Sequence, residues 1–463
     1  MTRRMHLLPL PFLLLTLLSL LTHSHAADTW QAGAAKQQIT PQQFMWMAGY
    51  GSRTAPANGK LTELWAKSLV IQDAEGHQGV LITLDLVGID RPLATTICQR
   101  LEKKYGLQRD QIAICCSHTH TGPALKNNLA PLHYRLVNRQ QQEQIEQYEV
   151  FLVERVMASV DAAQKQLAAA TLSWGSGTAT YATNRRENRP EGEVPERRLQ
   201  GKLAGPVDHD VPVLAVHDTE QKLLAVVFGY ACHATVLSLN QWSGDHPGYA
   251  QIELEQSHPG AVAMFWAGCG ADQNPLPRRT VALAKHYGQR LAAAVDSVLM
   301  TTRLQPIAPR LTSQYREVAL PLDTLPTRAA IEADTTSKNK FVAARAKMLL
   351  EQIDSGQPLA ATYPYGIGSW RLGDTIDFVF LGGEVVVDYA IRLKAELRGK
   401  QSWIAGYAND VMAYIPSRRV LREGGYEGAT SMIYYGLPTR WAPALEALIV
   451  DEVHRQVDPA AQK

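Results

Sequence analysis

The 463 residues carry 46 Lys and Arg against 44 Asp and Glu, a formal net charge of +2. This balance, without a basic stripe interleaved with aromatics, excludes nucleic acid as a partner. At 46% hydrophobic residues the chain can bury a large core, and its length admits two domains or one large α/β domain.

At the N-terminus Arg3 and Arg4 precede LLPLPFLLLTLLSLL (7–21), and Ser24 and Ala26 stand at the small-residue positions of a cleavage site. The pattern is that of a secretory signal peptide over residues 1–26. Its apolar run holds Pro9 and Pro11 and is shorter than the ~20 residues of a spanning helix. No other segment reads as a membrane span. The expected product is exported, periplasmic or secreted, with no transmembrane anchor after cleavage and a single domain over 27–463.

Short apolar runs follow, each ending in a polar or glycine-bearing break. GVLITLDLVGID (79–90) ends on Asp85 and Asp90, QIAICC (111–116) leads to His118 and His120, and LLAVVFGYAC (223–232) leads to His233. AVAMFWAG (261–268) runs into CGADQNP, TIDFVFLGG (375–383) leads to Glu384, and QSWIAGY (401–407) runs into AND. Nearly continuous β-branched and aromatic runs predict central strands buried on both faces. Helical periodicity is read at 91–106, 147–170, 280–299 and 385–397, with two surface helices within 324–360 and a closing helix within 439–457. Residues 184–210 are charged, proline-containing and aperiodic, and read as a long loop. Strands alternating with helices predict an α/β fold, a mixed and largely buried sheet core flanked by helices. Ligands of such sheets bind beyond the carboxyl ends of the strands, where these His, Glu and Asn residues fall, so a metal site is expected in those loops. The five cysteines, Cys98, Cys115, Cys116, Cys232 and Cys269, are too sparse for a disulfide framework and read as buried thiols, although one bridge is compatible with them.

In SHTHTGP (117–123), an extended backbone would point His118 and His120 to one face, and His-x-His can give one metal two ligands, or one ligand and one hydrogen-bonding partner. His233 in YACHATVLS is also compatible with a satisfied core histidine. Glu384 follows Gly-Gly at a helix start, where a carboxylate can simply offset the helix dipole. Tyr426 in GGYEGATS is also compatible with a surface aromatic.

Taken in order, SHTHTGP, CHATVLS with GDHPGYA, AGCGADQNP, the Gly-Glu before a helix, and AGYANDVMAYIP with YEGATS resemble the neutral/alkaline (non-lysosomal) ceramidases. The resemblance runs from about residue 30 to 431. It implies one zinc per chain on His118, His233, Glu384 and Tyr426, with His120 hydrogen-bonding the reacting oxygens and Arg185 lining the substrate pocket. Two histidines and a carboxylate form an open catalytic zinc set, suited to hydrolysing an amide of an N-acyl lipid or N-acylated amino sugar, a small or lipid-like substrate. Two departures stand out. Asn274, aligned on Pro275, replaces the serine of the family's Gly-Asp-x-Ser-Pro, so it is expected to act as a donor or orienting group and not as a nucleophile. The family's immunoglobulin-like C-terminal domain is also not expected in this chain. Two rival readings remain open. One is an ester or phosphoester hydrolase with a second metal on Asp85, Asp245 or His246; the other is a non-catalytic glycan- or lipid-binding protein.

Overall fold

A computed structural model describes residue 2 and residues 29–300, 304–397 and 401–458. The segment read as a signal peptide lies outside the described residues.

The fold is mixed α/β. The strands form two main sheets. The larger is built from Trp30–Gln38, Trp65–Gln72, Gln78–Leu84, Ile112–Cys116, Ala168–Thr178, Asp210–Asp218, Leu223–Tyr230 and Val262–Ala267, with Gln305–Ile307 on a side branch. The smaller holds Leu311–Pro321, Thr362–Leu372, Ile376–Leu381 and Gln401–Ala405. In these two sheets three strand pairs run parallel: Gln78–Leu84 with Ile112–Cys116, Leu223–Tyr230 with Val262–Ala267, and Ile376–Leu381 with Gln401–Ala405. Between the members of each pair lies one helix, respectively Arg91–Tyr105, Asp245–Ser257 and Val387–Glu396. Among the described residues these two sheets thus contain three β-α-β units, the arrangement that parallel neighbours require.

These six parallel strands are the six read from continuous apolar runs. Every residue of Ile112–Cys116 and Ile376–Leu381 is buried, as strands covered on both faces must be. Isolated bridges Cys115–Ala408 and Gly268–Ala405 join the two sheets at the carboxyl ends of these strands. Residues 406–413 then stitch the units together. The N–H of Gly406 donates to Ala267 O at 3.0 Å, that of Ala408 to Leu381 O at 3.0 Å and that of Asn409 to Ile114 O at 2.8 Å. All five cysteines are buried free thiols, as the composition suggested.

Some boundaries differ from the sequence reading. The helix read at 147–170 spans Arg139–Lys165, capped by Asn138, whose side chain accepts from the N–H of Gln141. Its first turns are Gln-rich and show little apolar stripe. The alanines read as its tail instead open the strand Ala168–Thr178. The 184–210 loop contains a six-residue helix, Val194–Leu199, too short to show a period. Among the described residues no helix is long and apolar enough to cross a membrane.

Candidate metal centre

Each β-α-β unit delivers one member of the centre just past a strand end. His118 follows Ile112–Cys116, His233 follows Leu223–Tyr230, and Glu384 follows Ile376–Leu381 across Gly382-Gly383. Gly383 takes φ 74°, and a Cβ there would meet Ala413 O at 2.7 Å, so glycine is needed for the turn. His118 is not extended as the His-x-His reading supposed. The strand stops at Cys116 and His118 adopts φ 59°. The rings of His118 and His120 therefore converge through a left-handed turn and not through strand alternation, with their Nε2 atoms 3.1 Å apart.

Glu384 Oε2 lies 3.1 Å from His118 Nε2 and 3.1 Å from His233 Nε2. All three residues are buried. His118 donates from Nδ1 to Val87 O at 2.6 Å, and His233 donates from Nδ1 to Gly270 O at 2.9 Å. A carbonyl only accepts, so each ring keeps its proton on Nδ1, and in a neutral ring Nε2 then presents a lone pair. Consistently, Glu384 Oε2 is buried without an aligned hydrogen-bond donor among the described residues, although both nitrogens are at ion-pair distance. Lone pairs converging with no proton between them are the donor set of a cation, and carbonyl partners on the far nitrogens are the support that metal-bound histidines use. His118, His120 and His233 offer nitrogens within 4.8 Å of one another. The group can hold a metal ion.

The electrostatics fit. Burial alone would raise the Glu384 carboxyl, but His118 and His233 hold it well below the usual carboxylate range. Burial, reinforced by Arg185, lowers His233 to about 4. Burial, with His118 and His233 beside it, also drives His120 well below the ordinary imidazole value. Glu384 is thus ionised and His233 neutral, the protonation states that metal binding needs.

Tyr407 packs its ring on His118 at 4.4 Å, and two further phenols place their hydroxyls at the centre, neither of them Tyr426. Tyr414 places its hydroxyl 3.3 Å from His233 Nε2 and accepts from Arg185 Nη2 at 3.2 Å. Tyr435 donates its hydroxyl to Glu384 Oε1. Tyr426 stands one ring further out, edge-on to Tyr414 at 5.1 Å and 39% exposed. Tyr414 takes the inner position because the bridge Glu384–Tyr414 carries its segment alongside the Glu384 turn. No local sequence pattern marks that pairing. Arg185, expected to line the pocket, is fixed by Glu427 Oε1 at 2.7 Å and reaches the centre through Tyr414.

Asn274 is buried in the short strand Gln273–Pro275, paired with Thr183. Gln273 O accepts from the N–H of His233 at 2.9 Å, and Asn274 Oδ1 has no hydrogen-bond partner among the described residues. The residues considered for a second metal are otherwise engaged. Asp245 accepts from the N–H groups of Leu237 at 2.8 Å and His246 at 2.6 Å. Asp85 accepts from Trp65 N–H at 3.0 Å, and His246 Nδ1 lies 3.0 Å from the Tyr181 hydroxyl.

Fold and centre together define an α/β protein with a buried histidine–carboxylate group able to hold a metal ion. Residues 30–347 match the family model described as neutral/alkaline non-lysosomal ceramidase, N-terminal, and the chain belongs to that family. The neutral ceramidase of Pseudomonas aeruginosa is 27% identical over 259 residues, 54% of this chain and 38% of that one. The neutral ceramidase of Drosophila melanogaster is 24% identical over 262 residues, 53% of this chain and 35% of that one. The matched region thus spans little more than a third of these curated relatives. The crystal structure of the Pseudomonas aeruginosa enzyme superimposes with a TM-score of 0.69 at 20% identity, covering 92% of this chain and 73% of that one. A ceramidase structure described as complexed with C2 gives 0.70 at 18% identity, covering 91% and 74%. Both share the fold.

Proposed function

We propose that the protein is an exported zinc-dependent amidohydrolase that cleaves a linear N-acyl amide, with one zinc held by His118, His233 and Glu384 and the hydroxyl of Tyr414 beside them. The observation that carries this reading is the shared 3.1 Å approach of Glu384 Oε2 to both imidazoles, with each Nδ1 on a carbonyl. That the relatives are neutral ceramidases supports the amide bond as the target.

Bound zinc would supply hydroxide at neutral pH, by lowering the pKa of its water to about 7, and would polarise the substrate carbonyl. The chain's own residues do the rest. His120, half-buried and neutral, lies beside His118, where it can hydrogen-bond the reacting oxygens. Arg185 holds the Tyr414 hydroxyl toward His233, a donor placed where oxyanion charge develops. Asn274 cannot act as a nucleophile because its amide nitrogen lone pair is delocalised; its unpartnered Oδ1 suits an orienting role. The attack is therefore direct, without an acyl-enzyme.

The test is hydrolysis of a panel of N-acyl amides followed by mass spectrometry, before and after chelation and after zinc is restored. Release of fatty acid that chelation abolishes and zinc restores is expected. Unchanged release after exhaustive chelation, or an acylated peptide in quenched enzyme, would overturn the mechanism. Cleavage of p-nitrophenyl phosphate in preference to every amide would favour the phosphoester alternative.

A further inference from the structure

Of His118, His120, His233 and Glu384 only His120 is part-exposed, and Tyr50 packs its ring on it at a centroid distance of 4.8 Å. Two guanidinium groups flank that phenol: Arg53 lies 5.4 Å and Arg279 5.2 Å from the ring centroid. Arg279 Nη1 also donates to the Tyr50 hydroxyl at 3.0 Å. The Arg279 guanidinium is therefore within about 10 Å of the His120 ring.

Other arginines nearby are neutralised. Arg185 and Arg186 share Glu427, and Arg278 pairs with Glu191. Arg53 and Arg279 have no carboxylate partner among the described residues. Arg53 is buried on neutral acceptors, including His120 O at 2.7 Å and Leu239 O at 3.2 Å. Asp245, whose charge reaches Arg279, is buried and accepts from backbone N–H groups. An exposed guanidinium with no carboxylate in contact favours an anion.

The backbone points the same way. Arg279 is exposed and holds φ 94°, a region that favours glycine, while its N–H is tied to Val236 O at 2.7 Å. Strain of this kind persists where surrounding structure enforces it, and it clusters at functional sites. The 19-residue helix Val281–Leu299 starts two residues on, adding the positive end of its dipole. A line of aromatics runs from the centre along a second wall: Tyr414 to Tyr426 at 5.1 Å, Tyr426 to Tyr434 at 5.9 Å, and Tyr434 to Phe341 at 5.2 Å, where Phe341 packs beside Gly51, next to Tyr50. That line suits an acyl chain, and the arginine edge suits a charged group on the other side of the amide.

We propose that the substrate is an N-acyl amide whose amine portion bears an anion, an N-acyl amino acid being the simplest case, and that Arg279 recognises that anion, with the buried Arg53 adding positive charge behind it. This rests on the amide-hydrolysis reading. The test compares the zinc-loaded protein on N-dodecanoylglycine and N-dodecanoylethanolamine, which share an acyl chain and differ in a carboxylate against a hydroxymethyl group. The glycine amide is expected to have at least tenfold the kcat/KM. The ratio should fall at least fivefold in Arg279→Gln, and equally in Arg279→Gly, which relaxes the backbone and so separates recognition from folding. A wild-type ratio near one, or a ratio unmoved in both variants, overturns the proposal while leaving amide hydrolysis standing. Zinc-loaded protein that cleaves neither compound nor any other N-acyl amide overturns both.

Discussion

The hydroxyl of Tyr435 donates to one oxygen of Glu384, and the other oxygen is thereby left between His118 and His233. The carboxylate is oriented by a residue 51 positions away, and the orientation aims Oε2 at the two imidazoles. Outer partners of this kind are worth about ten- to a hundredfold in metal affinity. Tyr435→Phe is accordingly expected to weaken zinc retention by about that factor, measured by competition with a chromophoric chelator. Affinity equal to wild type would show that Glu384 is held without the phenol.

Tyr414 and Tyr426 separate cleanly by mutation. Tyr414→Phe removes the hydroxyl 3.3 Å from His233 Nε2 and is expected to lower kcat about a hundred- to a thousandfold, the usual effect of deleting an oxyanion donor. Tyr426→Phe, altering a ring one layer out and 39% exposed, should remain within about tenfold of wild type. Steady-state kinetics on one amide decides, and the reverse order would return the inner role to Tyr426.

The contrast between these two tyrosines shows what the sequence discloses. Parallel strands are buried on both faces, so their continuous apolar runs are legible, and with them the positions of His118, His233 and Glu384 at strand ends. Antiparallel strands such as Ala168–Thr178 alternate buried with exposed small residues and merge with a preceding helix. Tyr426 draws attention through its flanking glycines, whereas Tyr414 reaches the centre through a bridge to Glu384, 30 positions earlier in the chain. Tyr435 and the strained Arg279 are likewise placed by tertiary contacts alone.

Glu149 provides a test of the fold that is independent of the centre. Burial outweighs the hydrogen bond from Lys126 N–H at 2.6 Å and raises this carboxyl to about 7. A carboxyl whose folded value exceeds its unfolded value favours the fold while protonated, and that contribution is lost as pH rises from about 4.5 through 7. Glu149→Gln stays neutral and can still accept from Lys126. Its stability relative to wild type should therefore rise by on the order of 2 kcal/mol between pH 5 and pH 8. Urea denaturation at the two pH values checks this, and a difference independent of pH would contradict the assignment.

Asn274→Ala tests the direct attack. Loss of the side chain should slow turnover by up to about a hundred- to a thousandfold if it orients the carbonyl, with metal content unchanged and no burst in either protein. A pre-steady-state burst of amine release would indicate an acyl-enzyme instead.

The central claim is that His118, His233 and Glu384 hold one zinc ion. Its most direct test is metal content by inductively coupled plasma mass spectrometry on the purified protein and on His118→Ala, His233→Ala and Glu384→Gln, each confirmed as folded by circular dichroism. About one zinc per chain is expected in the wild type, with loss in both histidine variants and a marked reduction in Glu384→Gln. Wild-type protein that takes up no zinc when the metal is supplied, or folded variants that retain it in full, would contradict the account.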